Sequence, residues 1–172
     1  MIFVTIGSHT PFDRLVRTVD AWAAGQSDRD IFAQIGDGAY LPQHMRYERH
    51  LDPDTFEHAV QRAKVIVGHA GTGTIISALQ FGKPILVMPR CAALRETRND
   101  HQVATAARFA ERGYVVVARD EHELSVALDD LEALPERARI GRQASPELIQ
   151  CIRTFIEDGR CSVPSARADR SL

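Results

Sequence analysis

A chain of 172 residues, 44% hydrophobic and 26% charged, is long enough to bury one good core and short for two. Its formal net charge of −2 lacks the basic excess expected of a nucleic-acid binder. It also lacks the run of about eighteen apolar residues that a membrane-spanning helix needs.

Residues 2–6 read as a buried strand, too short and without the basic leader of a signal peptide. Thr10 offers an N-cap, with Pro11 at the first helical position and Asp13 in the first turn. That helix carries Leu15, Val16, Val19 and Trp22 on one face and stops near Gly25. A second strand over 31–35 closes on Gly36-Asp37-Gly38, and a more polar one is expected over 45–51. Asp52-Pro53 opens a helix to Ala63. Residues 65–68 and 84–88 are apolar and β-branched between turn signals, as central parallel strands are, with a helix over 74–81 between them. Asn99 is placed to cap a helix to Arg112, followed by a last strand over 114–118. Helices over 121–134 and 146–158 complete the pattern. The expected organisation is one domain over 1–160, including the 146–158 helix, and a flexible tail over 161–172.

Strand–helix alternation of this kind predicts a single α/β Rossmann-like domain, a parallel sheet with helices on both faces. In such sheets ligands bind beyond the carboxyl ends of the strands. Three connections there are chemically loaded: Gly7-Ser8-His9-Thr10, His69-Ala70-Gly71-Thr72-Gly73-Thr74, and Pro89-Arg90 on to Asn99-Asp100-His101-Gln102. The Gly71–Thr74 turn suits an anion, because glycines let backbone N–H groups and a helix N-terminus approach it. The same glycines would also serve a mere tight turn into a helix.

Other motifs are set aside. Gly68, Gly71 and Gly73 do not spell GxGxxG, and no acidic residue follows at the spacing a nicotinamide cofactor requires. Gly82-Lys83 lacks the upstream glycine of a phosphate loop. Asp28-Arg29-Asp30 precedes a strand, where a solvated turn is expected, and the seven histidines show no ligand spacing, so no metal is indicated. Three cysteines without a CxxC pair suggest reduced thiols in a cytosolic protein.

The segment HAGTGTIISALQFGKPILVMPR, followed by RNDHQ and ERGYV and preceded by VTIGSHTPFDRLV, closely resembles the C-terminal, donor-binding domain of glycosyltransferase family 28. The resemblance covers about residues 1–135 and is nearest to the small cytosolic subunits of split two-subunit members, including those of exopolysaccharide synthesis. It implies half of a GT-B fold and a UDP-sugar as donor substrate, with no cofactor. By position, Gly7 and Ser8 would meet the donor diphosphate, and Gly71, Thr72, Gly73 and Thr74 would cradle it. Asn99, His101 and Gln102 would hold the sugar hydroxyls, and Leu51 would lie against the uracil. Ser77 stands where many relatives carry an acidic residue for the ribose, so that contact loses charge assistance.

The resemblance further implies a membrane-anchored, acceptor-binding partner subunit, a lipid-linked saccharide acceptor, and recruitment from the cytoplasm to the inner face of the membrane. The base would then reside in the partner, with His9 a candidate here. Arg90 or Arg98 could meet a glucuronate carboxylate, since arginine suits bidentate carboxylate binding. The helix over 146–158 carries Leu148, Ile149, Ile152, Phe155 and Ile156 at helical spacing, a stripe for a partner or for its own domain. The competing expectation is a non-catalytic subunit that stabilises a transferase without binding donor.

Overall fold

The computed structural model describes residues 1–135, 139–141 and 143–159. Met1–Ile140 form one compact unit, and a second unit begins at Gly141.

In the first unit six strands make one sheet in the order β3-β2-β1-β4-β5-β6: β1 (Ile2–Thr5), β2 (Ile31–Gln34), β3 (Arg46–Glu48), β4 (Val65–His69), β5 (Ile85–Met88) and β6 (Val116–Val117). Every ladder is parallel, as the alternation with helices predicts. The chain winds outward in both directions from the β1–β4 pair. The crevice outside the carboxyl ends of those two strands is therefore where a ligand is expected.

Five helices cover the sheet: α1 (Asp13–Ala23), α2 (Pro53–Arg62), α3 (Thr72–Gln80), α4 (His101–Glu111) and α5 (Glu121–Asp129). Strand alternation divides the core. Ile2, Val4 and Ile6 face Leu15, Val16 and Val19 of α1 and Leu124 and Leu128 of α5. Phe3, Ile66, Ile85 and Val87 face Val60 of α2, Ile75 and Leu79 of α3 and Ala106 of α4.

Several boundaries differ from the sequence expectation. Helix α1 begins at Asp13 rather than beside Thr10, and Phe12 occupies its N-cap without a side-chain hydrogen bond. Thr10 and Pro11 stay in the loop, where the Thr10 carbonyl accepts a hydrogen bond from Arg90. Helix α3 starts two residues earlier than expected, so Thr72 and Gly73 lie in its first turn. Asp100, not Asn99, is the N-cap of α4, and its carboxylate is committed to the Ala92 amide at 2.9 Å. Helix α5 ends at Asp129, and a separate 3-10 turn follows over Leu131–Ala133. The polar edge strand shrinks to Arg46–Glu48, because only there do its backbone groups pair with β2.

The second unit contains α6 (Pro146–Asp158), capped by the Ser145 hydroxyl, which accepts from the Leu148 amide at 3.3 Å, and closed by Gly159 at φ 66°. Residues 161–172, expected as a tail, lie outside the described residues. Cys91 is a free thiol, but Cys151 is disulfide-bonded. At Cys151 this differs from the expectation of three reduced thiols. Among the described residues no helix is long and apolar enough to cross a membrane.

Candidate functional site

The end of β1 is organised by a buried threonine. Thr5 Oγ1 donates to Gln34 Oε1 at 2.8 Å and accepts from the Gly7 amide at 3.1 Å. Gly7 then turns the chain with φ 74°, a left-handed value that side chains resist. A Cβ there would lie 2.8 Å from Cε1 of His69, and one at Gly71 would collide with the same ring. Gly7 is thus required by close approach as well as by turning, and Gly71 by close approach alone. Ser8 and His9 follow on the surface, with Ser8 Oγ and His9 Nδ1 3.1 Å apart.

Beyond β4, Gly71 is the N-cap of α3 in extended conformation, and no side chain caps the helix. The first intrahelical bond runs from the Ile75 amide to the Gly71 carbonyl. The amides of the turn before it have no partner within the helix, and with the helix dipole they make an end of the kind that suits an anion. Thr74 is buried in this turn. Ser77 Oγ donates back to the Gly73 carbonyl at 2.9 Å, leaving its lone pairs as acceptors.

These two turns open on one cleft of about 530 Å³. Gly7, Ser8, His9, Leu51, Gly73, Thr74 and Ser77 line it. Gly71 and Thr72 begin the helix whose next turn forms the wall. The lining also includes residues that the sequence reading did not single out, among them Gln34, Phe56, Glu57, Gln80 and Phe81. Gln34 could have been found as a polar residue at the carboxyl end of a buried strand. Phe56 and Gln80 had no such signal, since their meeting depends on α2 packing beside α3.

His69 forms part of the same lining and is only 9% exposed. Burial, followed by the positive charge of Arg90, holds its imidazole down to about 4, so the ring is neutral at neutral pH. Its Nδ1 is buried with no hydrogen-bond partner among the described residues.

Arg90, Asn99, His101 and Gln102 are not in that lining; they belong to the connection from β5 into α4. Asn99 and His101 are exposed and joined to each other, Asn99 Oδ1 lying 2.7 Å from His101 Nδ1 and accepting from the His101 amide at 3.2 Å. Gln102 is buried, and its Oε1 accepts from the Arg90 amide at 3.1 Å. Arg90 is 4% exposed, with its guanidinium turned inward onto the Ile6 and Thr10 carbonyls. A solvent-facing carboxylate clamp at Arg90 is therefore not what the fold builds.

The connection itself is pinned by Arg14. Its Nε and Nη2 bind Glu96 at 2.7 and 2.8 Å in a fork, and Nη1 reaches Glu121 at 3.1 Å. Glu96 also accepts from the Cys91 amide at 3.0 Å. A second cavity, of about 570 Å³, opens at the opposite, amino ends of the strands beside Asp28, Arg29 and Asp30. There Asp30 is paired with Arg46 at 2.6 Å.

The family model of the glycosyltransferase family 28 C-terminal domain matches residues 1–149. The UDP-N-acetylglucosamine transferase subunit ALG13 of Homo sapiens is 29% identical over 124 residues, which are 66% of this chain and 10% of that protein. The chain thus spans about a tenth of that relative's length. Among solved structures, the NMR structure of ALG13 superposes with a TM-score of 0.56 at 18% identity, covering 88% of this chain and 94% of that one. The glycotransferase of kitacinnamycin gives 0.57 at 23% identity, covering 76% of this chain and 34% of that one. Both likenesses are of fold.

Proposed function

The chain belongs to the family of the glycosyltransferase family 28 C-terminal domain, and from that premise we propose that it is the UDP-sugar-binding subunit of an inverting glycosyltransferase. The acceptor is a lipid-linked saccharide, and a membrane-anchored partner subunit binds it at the cytoplasmic face. The name of the human relative, a UDP-N-acetylglucosamine transferase subunit, supports the donor class and the division of labour.

One observation carries this reading. The uncapped N-terminus of α3 and the Gly7-Ser8 turn open on the same cleft, at the point where the sheet reverses its winding. An acceptor hydroxyl attacks the anomeric carbon while a base, in the partner subunit or His9 here, takes its proton. The bond from that carbon to the leaving diphosphate oxygen breaks with inversion, and UDP departs. The charge that develops is met by the first-turn amides of α3 and by the hydroxyls of Ser8, Thr72 and Thr74. Well-placed donors of this kind are worth roughly 3 kcal/mol each, so the reading needs no metal. Leu51 and Phe56 offer an apolar wall for the base, and Ser77 an acceptor for the ribose. Asn99, His101 and Gln102, at the start of α4, are assigned to the sugar. Because the Arg90 guanidinium is buried, Arg98 remains the arginine that would select a glucuronosyl over a neutral hexosyl donor.

Calorimetry of the full chain with UDP, UDP-glucuronate, UDP-galactose and UDP-N-acetylglucosamine tests the proposal. Micromolar to millimolar binding of UDP that weakens in Thr74→Ala supports it. A folded chain with no affinity for any of them would leave the non-catalytic, stabilising role instead.

A further inference from the structure

Arg90 is a buried cation that the donor-binding reading does not use. Its Nη2 donates to the Ile6 carbonyl at 2.8 Å and also to the Thr10 carbonyl. Its guanidinium carbon lies 4.9 Å from the centre of the Phe12 ring, and its backbone amide is held by Gln102. Ile6 and Thr10 bracket the Gly7-Ser8-His9 turn, so one planar group grips both ends of it. A buried charge is costly unless paired, and an apolar side chain would fill the same space more cheaply. Retaining the cation here calls for a use.

The position of the charge supplies one. Arg90 remains protonated at neutral pH although burial lowers it to about 10. Its charge is felt at His69, in the floor of the cleft, where it contributes to keeping that ring neutral. Among the described residues the cleft lining contains no lysine or arginine. A diphosphate bound there would meet amides, hydroxyls and a neutral imidazole, and the nearby positive charge would come from beneath.

We propose that Arg90 is a positioning residue for the diphosphate of a nucleoside-diphosphate ligand, clamping the two ends of the 7–9 turn and lending positive charge without touching the ligand. The proposal rests on the donor-binding reading above. Lysine at this position keeps the charge but loses the flat guanidinium set against the Phe12 ring, whereas glutamine loses both.

The test compares UDP by calorimetry with uridine, which lacks the diphosphate, by NMR titration, on the full chain and on Arg90→Lys and Arg90→Gln. The expected result is UDP binding at least tenfold weaker in Arg90→Lys and weaker still in Arg90→Gln. Uridine binding should stay within twofold. The His69 ring should titrate higher in Arg90→Gln than in the wild type, and little changed in Arg90→Lys. A general structural defect would instead weaken both ligands together. If UDP and uridine weaken equally, or neither changes, the clamp is overturned while donor binding stands. If the wild-type chain binds no UDP, both readings fall. Should the Arg90 variants not fold, Phe12→Leu removes the ring beside the guanidinium. A loss confined to UDP is again expected, and an unchanged UDP-to-uridine ratio overturns the clamp.

Discussion

The His69 ring occupies the space that a side chain at Gly7 would need, its Cε1 lying 2.8 Å from where that Cβ would be. Two loops from neighbouring strands are thereby locked to one spacing. Gly7→Ala must both hold a left-handed φ of 74° and displace the ring. Strain of this kind costs of order 1–3 kcal/mol. Thermal unfolding should show a lower Tm, and UDP binding should weaken more than the loss of stability alone explains.

Gly73→Ala is the contrasting case. Its added Cβ would meet nothing within 4 Å, and the residue lies in a helix. Replacing glycine by alanine in a helix gains roughly 0.5–1 kcal/mol. Stability should hold or rise, while the methyl group narrows the cleft wall and weakens UDP. Unchanged UDP affinity would place the diphosphate elsewhere.

His69 makes stability depend on pH. Its folded-state value near 4 is below the 6.5 of an unfolded histidine, so between these the unfolded chain binds a proton that the fold refuses. Stability is therefore fully present above about 6.5, falls as the pH drops toward 4, and levels off below it, by up to ~3 kcal/mol. Comparing Tm at pH 7.5 and 5 for wild type and His69→Gln checks this, with the variant expected to show the flatter response.

Asp20 is fully buried and accepts from the Tyr40 hydroxyl at 2.7 Å, the Gln43 amide at 2.9 Å and the His44 amide at 2.8 Å. Burial alone would raise its carboxyl, but these donors more than offset that and hold it below the usual range. Asp20→Ala leaves two backbone amides without their acceptor, each costing about 1–3 kcal/mol if they stay buried. Chemical denaturation should show the loss. UDP affinity of the protein that remains folded should be unaffected.

The Arg14–Glu96 fork ties the connection after β5 to α1. Glu96→Gln keeps the shape but weakens both charge-assisted bonds and releases part of the hold on the Cys91 amide. Hydrogen bonds to charged groups contribute roughly 1.5–3 kcal/mol. Amide exchange over 91–100 should quicken. In the assembled transferase, kcat should fall while UDP affinity stays, because Asn99 and His101 lie on this connection and Gly7 and Thr74 do not. Equal losses in both would contradict that division.

Much of this molecule is legible from local chemistry. Alternating apolar runs marked the strands, Asp52-Pro53 marked the start of α2, and Gly82 marked the end of α3, because turn and cap preferences act over a few residues. Gly7, Ser8, Gly73 and Thr74 could be placed on one edge as soon as the strands were read as parallel. The start of α1 was misread for a related reason. Thr10 and Pro11 are good local signals, but a side chain from β5's end holds Thr10 outside the helix.

What the sequence alone determined is the set of elements, their parallel order of winding and the two glycine turns, since each depends on periodicity or backbone freedom within a short window. The inward turn of Arg90, the wedge of His69 between two loops, and the joining of Phe56 and Gln80 in one wall were decided only by tertiary structure. Arg90 and Ile6 are 84 residues apart, and Arg14 and Glu96 are 82 apart. No local preference can say which way a long cationic side chain points. That is settled when burial, available carbonyls and neighbouring charge are brought together by packing.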